Sequence, residues 1–138
     1  MKKLLAAITL SFIALTTAAS AASITADINV SSQTMIVRGE GISYRWLVST
    51  AMKGMHTPTG HFRPIRLDAT HKSKKYHNSP MPYSVFFDGG VAIHGTYSIK
   101  HLGHRASHGC VRLAPANAQI FFNLVKEVGK NNVAINIE

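Results

Sequence analysis

Residues 91–113, VAIHGTYSIKHLGHRASHGCVRL, open on a short apolar run and close on Cys110-Val111-Arg112-Leu113; they hold the chain's only cysteine and four of its eight histidines. Val91 and Ile93 alternate with Ala92 and His94, the period of a strand with one face in a core. His94 therefore leaves the core face at the strand end. Asp88-Gly89-Gly90 just before is a hairpin signal, which makes Tyr83–Phe87 the preceding strand. Taken as a further extended segment, Ser107–Leu113 puts His108, Cys110 and Arg112 on one face and Ser107, Gly109 and Val111 on the other. A thiol with histidines nearby and a glycine just before it has the parts of a nucleophilic site.

The flanks fill in the fold. Upstream, Ile24, Ala26, Ile28 and Val30, then Met35 and Val37, then Ile42, Tyr44, Trp46 and Val48 repeat with period two. These predict three strands, parted by turns at Ser31-Ser32-Gln33 and Gly39-Glu40-Gly41. Tyr44 and Trp46 read as sheet aromatics rather than a ligand platform. The middle, Thr50–Tyr83, is rich in glycine and proline; Thr57-Pro58-Thr59-Gly60 has the residue types of a turn. Phe62, Ile65 and Leu67 predict a short strand, and the polar, basic Ala69–Pro80 a mobile excursion acting as a lid beside the site. Downstream the period changes. Pro115 suits a helix's first turn, Ile120, Phe121, Leu124, Val125 and Val128 form its apolar stripe, and Gly129 ends it. Val133, Ile135 and Ile137 make a closing strand. The expected fold class is mainly β with one helix in the C-terminal region.

At 138 residues there is room for one domain. Met1-Lys2-Lys3, the apolar Leu4–Leu15 and the small-residue Thr16–Ala22 have the layout of a secretory signal peptide, cleaved after Ala21 or Ala22. The apolar run is shorter than the roughly 20 residues a bilayer span needs, so no stable membrane anchor is expected. The organisation expected is a leader at 1–21 and a domain at 22–138, exported to the periplasm or cell envelope as a monomer. In an oxidising compartment an unpaired cysteine is either inert or kept for chemistry, and its histidine neighbours argue for chemistry. Once Lys2 and Lys3 leave with the leader, thirteen Lys and Arg face six Asp and Glu, a balance of +7. That suits a polyanionic envelope polymer. The basic residues are scattered, with Lys72–Lys75 a solvated loop, and no nucleic-acid-binding motif accompanies them.

The site's chemistry is read in the same way. His108 and Arg112 beside Cys110 favour a thiolate and a depressed thiol pKa. Gly109 has no Cβ, so a backbone N–H near Cys110 can reach an oxyanion. His94 is the general base and acid, with a backbone carbonyl to orient it. Zinc is the rival: His101, His104 and His108 stand at helical spacing with Cys110 as a fourth ligand, but Gly103 and Gly109 oppose that helix. No metal or cofactor is expected. His56, His61, His71 and His77 read as surface or loop histidines, and Ser107 as a turn residue bonding to backbone rather than a nucleophile.

Ile93-His94-Gly95-Thr96, Leu102-Gly103 and Ser107-His108-Gly109-Cys110-Val111-Arg112-Leu113 together resemble the active-site signature of the L,D-transpeptidase catalytic domain, the YkuD family. Thr57-Pro58-Thr59-Gly60, Pro80-Met81-Pro82-Tyr83 and the terminal helix and strand are similar to that family in order, so the resemblance covers Ser23–Glu138. It implies a β-rich catalytic domain in which Cys110 attacks the bond between the third residue of a peptidoglycan stem tetrapeptide and its terminal D-alanine. It further implies that His94 is the base, oriented by the Gly95 carbonyl, and that His108 and Gly109 shape the oxyanion site. Arg112 and Ser107 are assigned to substrate contact. The acyl group passes to an amine, either another stem or an envelope protein; water as acceptor gives a carboxypeptidase. A non-catalytic, basic peptidoglycan-binding protein is the alternative of another class.

Overall fold

The computed structural model describes residues 12–15 and 23–138. The leader expected at 1–21 lies mostly outside the described residues, and no helix among those described is long and apolar enough to cross a membrane. Among the described residues nine strands form two sheets. β1 (Ile24–Asn29), β2 (Thr34–Gly39) and β3 (Ile42–Leu47) run antiparallel in series. β9 (Val133–Ile137) adds parallel to β1, and β4 (Gly60–Phe62) adds antiparallel to β9, giving the order β3-β2-β1-β9-β4. The second sheet is β5 (Arg66–Ser73), β6 (Ser79–Asp88), β7 (Val91–Gly95) and β8 (Val111–Leu113), with β7 and β8 parallel.

The alternation read along the chain is what builds the core. Ile24, Ile28, Met35, Val37 and Ile135 of the first sheet meet Val85, Ile93, Val111 and Leu113 of the second in one cluster, all of them fully buried. Helix α1 (Pro115–Val128) packs Ala118, Phe121 and Val125 into the same cluster, starts on Pro115 and stops where Gly129 takes φ +88°. Tyr44 and Trp46 stack on each other along β3 with centroids 5.0 Å apart, as sheet aromatics. His61 is a surface histidine, its Nδ1 2.8 Å from Asn136 Oδ1 across β4 and β9.

Two readings of the middle region are corrected. Phe62 and Leu67 do not share a strand: Phe62 ends β4 in the first sheet, Leu67 lies in β5 of the second, and Ile65 between them is exposed. The Ala69–Pro80 excursion is not a loop but most of a β-hairpin, with β5 and β6 paired from Arg66↔Phe86 to Ser73↔Ser79. Pro80 and Pro82 argue against a strand by sequence, because proline donates no ladder hydrogen bond. They are tolerated here because β7 pairs with β6 only from Val85 to Asp88. The prolines lie on the length of β6 that β7 never reaches.

Candidate active site

The parallel pairing of β7 with β8 assembles the site. Ile93 and Val111 are register partners on the core face, so His94 and its partner Arg112 point to the opposite, cleft face. Cys110 stands one residue before β8 and packs against Met81, Phe86 and Ala92. The cleft has a volume of about 640 Å³, and His94, His108, Gly109, Cys110 and Arg112 all line it. Arg66, Lys74 and Lys75 line it as well, and none of the chain's Asp or Glu residues does.

His94 is buried, and its Nδ1 lies 2.7 Å from the Gly95 carbonyl oxygen. A carbonyl only accepts, so Nδ1 carries the proton and Nε2 is left with a lone pair. Burial pulls the His94 pKa down to about 4, with the Arg112 and His71 charges acting in the same direction against the Gly95 hydrogen bond. Gly95 itself is closely packed: a Cβ there would sit 3.1 Å from the Pro82 ring and 3.2 Å from Pro115 Cα, so its neighbours would have to give way.

The expected thiolate is not what the environment favours. Burial pushes the Cys110 thiol up from its ordinary range, and the Ala92 backbone and Arg112 offset only part of that. A desolvated sulfur resists charge more than one nearby guanidinium stabilises it. The resting pair is thus a neutral thiol with a neutral imidazole.

The residues before Cys110 are not extended either. Only Val111–Leu113 forms strand; His108–Cys110 bend, and Gly109 takes φ +147°. Ser107 is fully buried and does not line the cleft. Its hydroxyl donates to the Cys110 carbonyl at 2.6 Å and accepts from the Gly109 N–H at 3.1 Å, so it braces the turn instead of meeting a substrate. The Gly109 N–H is consequently engaged inside the loop. His108 is exposed at the cleft, its ring stacked 4.0 Å from that of Tyr76 at the hairpin tip.

A buried polar scaffold that sequence reading missed supports this turn from behind. Gln33, at φ +53°, donates from Nε2 to Thr50 Oγ1 and accepts the Thr50 N–H on Oε1. Thr50's carbonyl accepts from the Ala106 and Ser107 amides, and Ser49 bridges Arg112 through both of its backbone groups. Thr57 Oγ1 accepts the Ala51 N–H at 3.0 Å and donates to the Gly109 carbonyl at 2.9 Å. Period and composition mark Gln33 and Thr57 only as turn residues, since their partners lie 17 and 52 positions away. Thr57→Val keeps the shape but strands both partners in a buried site. Urea unfolding of that variant is expected to show a loss of about 2–3 kcal/mol.

The histidines of the zinc reading do not converge. His101 closes a 3₁₀ turn (Ile99–His101), Gly103 takes φ +88°, and His101, His104 and His108 are all exposed. Among the described residues no three His, Cys, Asp or Glu side chains are grouped as metal ligands would be. His71, by contrast, is not a plain surface histidine. It lines the cleft.

A family model described as the L,D-transpeptidase catalytic domain (YkuD) matches residues 23–135. Similar solved structures include an L,D-transpeptidase from Stackebrandtia nassauensis, 26% identical, with 93% of this chain and 60% of that one covered at a TM-score of 0.71. An L,D-transpeptidase from Mycobacterium tuberculosis H37Rv is 17% identical, with 85% and 58% covered at 0.76. L,D-transpeptidase 3 from Mycobacterium tuberculosis, in complex with a faropenem-derived adduct, is 15% identical, with 85% and 60% covered at 0.75. The chain spans about three fifths of the length of these structures. No curated protein matches it.

Proposed function

The chain belongs to the L,D-transpeptidase catalytic domain family, and from that membership we propose that it is a cell-wall acyl-transferase working through Cys110 in the periplasm or cell envelope. The observation that carries the reading is the shared cleft of Cys110 and His94, with His94 tied through Nδ1 to the Gly95 carbonyl so that Nε2 keeps its lone pair. The donor is a peptidoglycan tetrapeptide stem. Its carboxylates suit a cleft lined by Arg66, Lys74, Lys75 and Arg112 and by no acid.

The neutral pair sets the order of events. His94 Nε2 takes the Cys110 proton as sulfur attacks the carbonyl of the third stem residue, so charge forms only during the reaction. The Gly109 N–H is committed to Ser107, which leaves the Cys110 N–H as the donor we assign to the oxyanion. Collapse breaks the C–N bond, and His94 returns the proton to the departing D-alanine amine. The thioester then passes to an amine, giving a cross-link between stems or attachment of an envelope protein; water gives hydrolysis instead. A basic binding protein without turnover would share the charge but does not need His94 held in this tautomer.

A carbapenem tests the nucleophile directly, since a related structure is a complex with imipenem and another carries a faropenem-derived adduct. Intact mass after incubation is expected to show one covalent adduct on the wild type and none on Cys110→Ala. A folded, reduced wild type that stays unmodified would leave the binding-protein reading in its place.

A further inference from the structure

His71 lies in the same cleft but has no part in the chemistry above. It gets there through a break in strand alternation. β5 and β6 pair from Arg66↔Phe86 to Asp68↔Ser84 and again from Thr70↔Pro82 to Ser73↔Ser79, with Ala69 and Tyr83 in the gap. Tyr83 there takes φ +54°, and the Thr70 N–H turns onto Asp68 Oδ1 at 3.1 Å. Uninterrupted alternation would send residues 68 and 71 to opposite faces. Instead His71 Nδ1 lies 3.1 Å from Asp68 Oδ2, and Met81, the partner of His71, joins the Phe86 and Ala92 cluster that supports Cys110.

The His71 ring stands edge-to-face with Phe86 at 5.0 Å, and Phe86 belongs to the cluster against which Cys110 packs. The Arg66 guanidinium covers the Phe86 ring at 3.9 Å. The Thr70 N–H, and to a lesser degree His71 and Arg66, hold the Asp68 carboxyl below its ordinary range against desolvation. Asp68 is therefore a carboxylate at neutral pH, and its Oδ2 accepts a hydrogen bond from the His71 Nδ1–H. That leaves Nε2 as the free nitrogen on a side chain that keeps 25% exposure. The two cleft histidines differ in setting. His94 is buried and oriented by a neutral carbonyl, whereas His71 is open to the cleft and oriented by an anion, which fixes its ring with Nε2 unpaired by Asp68.

The transfer step needs such a group. An amine acceptor arrives as an ammonium, and making an amide from it removes two protons from nitrogen. One returns through His94 to the departing Cys110 sulfur, and the other needs a second base. Building on the acyl-transfer reading above, we propose that His71, oriented by Asp68, takes the first proton from an ammonium acceptor on Nε2 and gives it to solvent. The freed amine then attacks the thioester. His71 thereby favours amines over water as acceptors.

The test measures D-alanine release and amide formation from a tetrapeptide donor, for the full chain and for its His71→Gln and Asp68→Asn variants. Two acceptors are compared: a second stem bearing a free side-chain amine, and hydroxylamine, which is already neutral at pH 7. His71→Gln is expected to keep donor acylation and hydrolysis, to lose about 100-fold in capture by the stem amine, and to keep capture by hydroxylamine. Asp68→Asn should lose less, in the same pattern. An equal loss with both acceptors would make His71 a packing residue, and no loss with either would remove it from the step; both outcomes overturn the inference. Failure of the underlying reading looks different, because the wild type would then release no D-alanine before any acceptor is added.

Discussion

Replacing His94 by glutamine is expected to slow acylation of Cys110 by about 1,000-fold, the range of a lost general base. The loss should be this large because nothing else prepares the sulfur. Burial holds the thiol protonated, and the Ala92 backbone and Arg112 offset only part of that. Glutamine keeps a group of similar reach but has no lone pair that takes a proton at this pH. The wild-type pH profile carries the same information. With the His94 pKa at about 4, kcat/KM for the donor should stay level as pH falls through 6 and decline only near 4. An acid limb near 6.5 would mean that His94 is not buried as described. Stability shares the sign: the unfolded imidazole binds its proton near 6.5 and the folded one near 4, so stability is complete above 6.5 and falls as pH drops toward 4, by about 3 kcal/mol. Urea unfolding of His94→Gln at pH 7 and pH 5 should show that slope reduced.

Gly109→Ala is the second change with a large expected effect. At φ +147° an L side chain is strained whatever space it has, and its Cβ would lie 3.0 Å from the His56 carbonyl oxygen. Relief by movement is blocked on both sides. Ser107 ties down the Gly109 N–H, and Thr57 ties down its carbonyl. The strain is expected to lower stability by about 2–3 kcal/mol and to displace Cys110 from His94. Carbapenem acylation should fall at least 100-fold at a temperature where the variant is still folded, since small misplacements cost that much. A variant with normal acylation and lowered stability would show that the turn can relax without moving the sulfur.

Local pattern carried a large part of this molecule. Strand alternation at Ile24–Asn29, Thr34–Gly39 and Val91–Gly95, and the stripe of Pro115–Val128, are visible because core burial imposes its period on the residues themselves, whereas Ile42–Leu47 keeps the period with only Trp46 buried. The Cys110 and His94 pair was legible because a thiol in Ser-His-Gly-Cys-Val-Arg, downstream of a strand-end histidine, is a short and specific pattern. What stayed hidden depends on partners far along the chain. Pro80 and Pro82 read as loop until β7 is seen to stop short of them, and His71 reads as surface until Tyr83 breaks the alternation beside it. Gln33 and Thr57 read as turn residues because their buried partners are supplied by other loops. The state of the thiol is the clearest case. Sequence puts charged neighbours beside Cys110 and predicts a thiolate, but how much water the fold leaves around the sulfur decides its pKa. Sequence alone thus determined which residues are present and which period each segment follows. The tertiary structure decided their desolvation and their long-range hydrogen bonds, because both depend on the segments brought together around them.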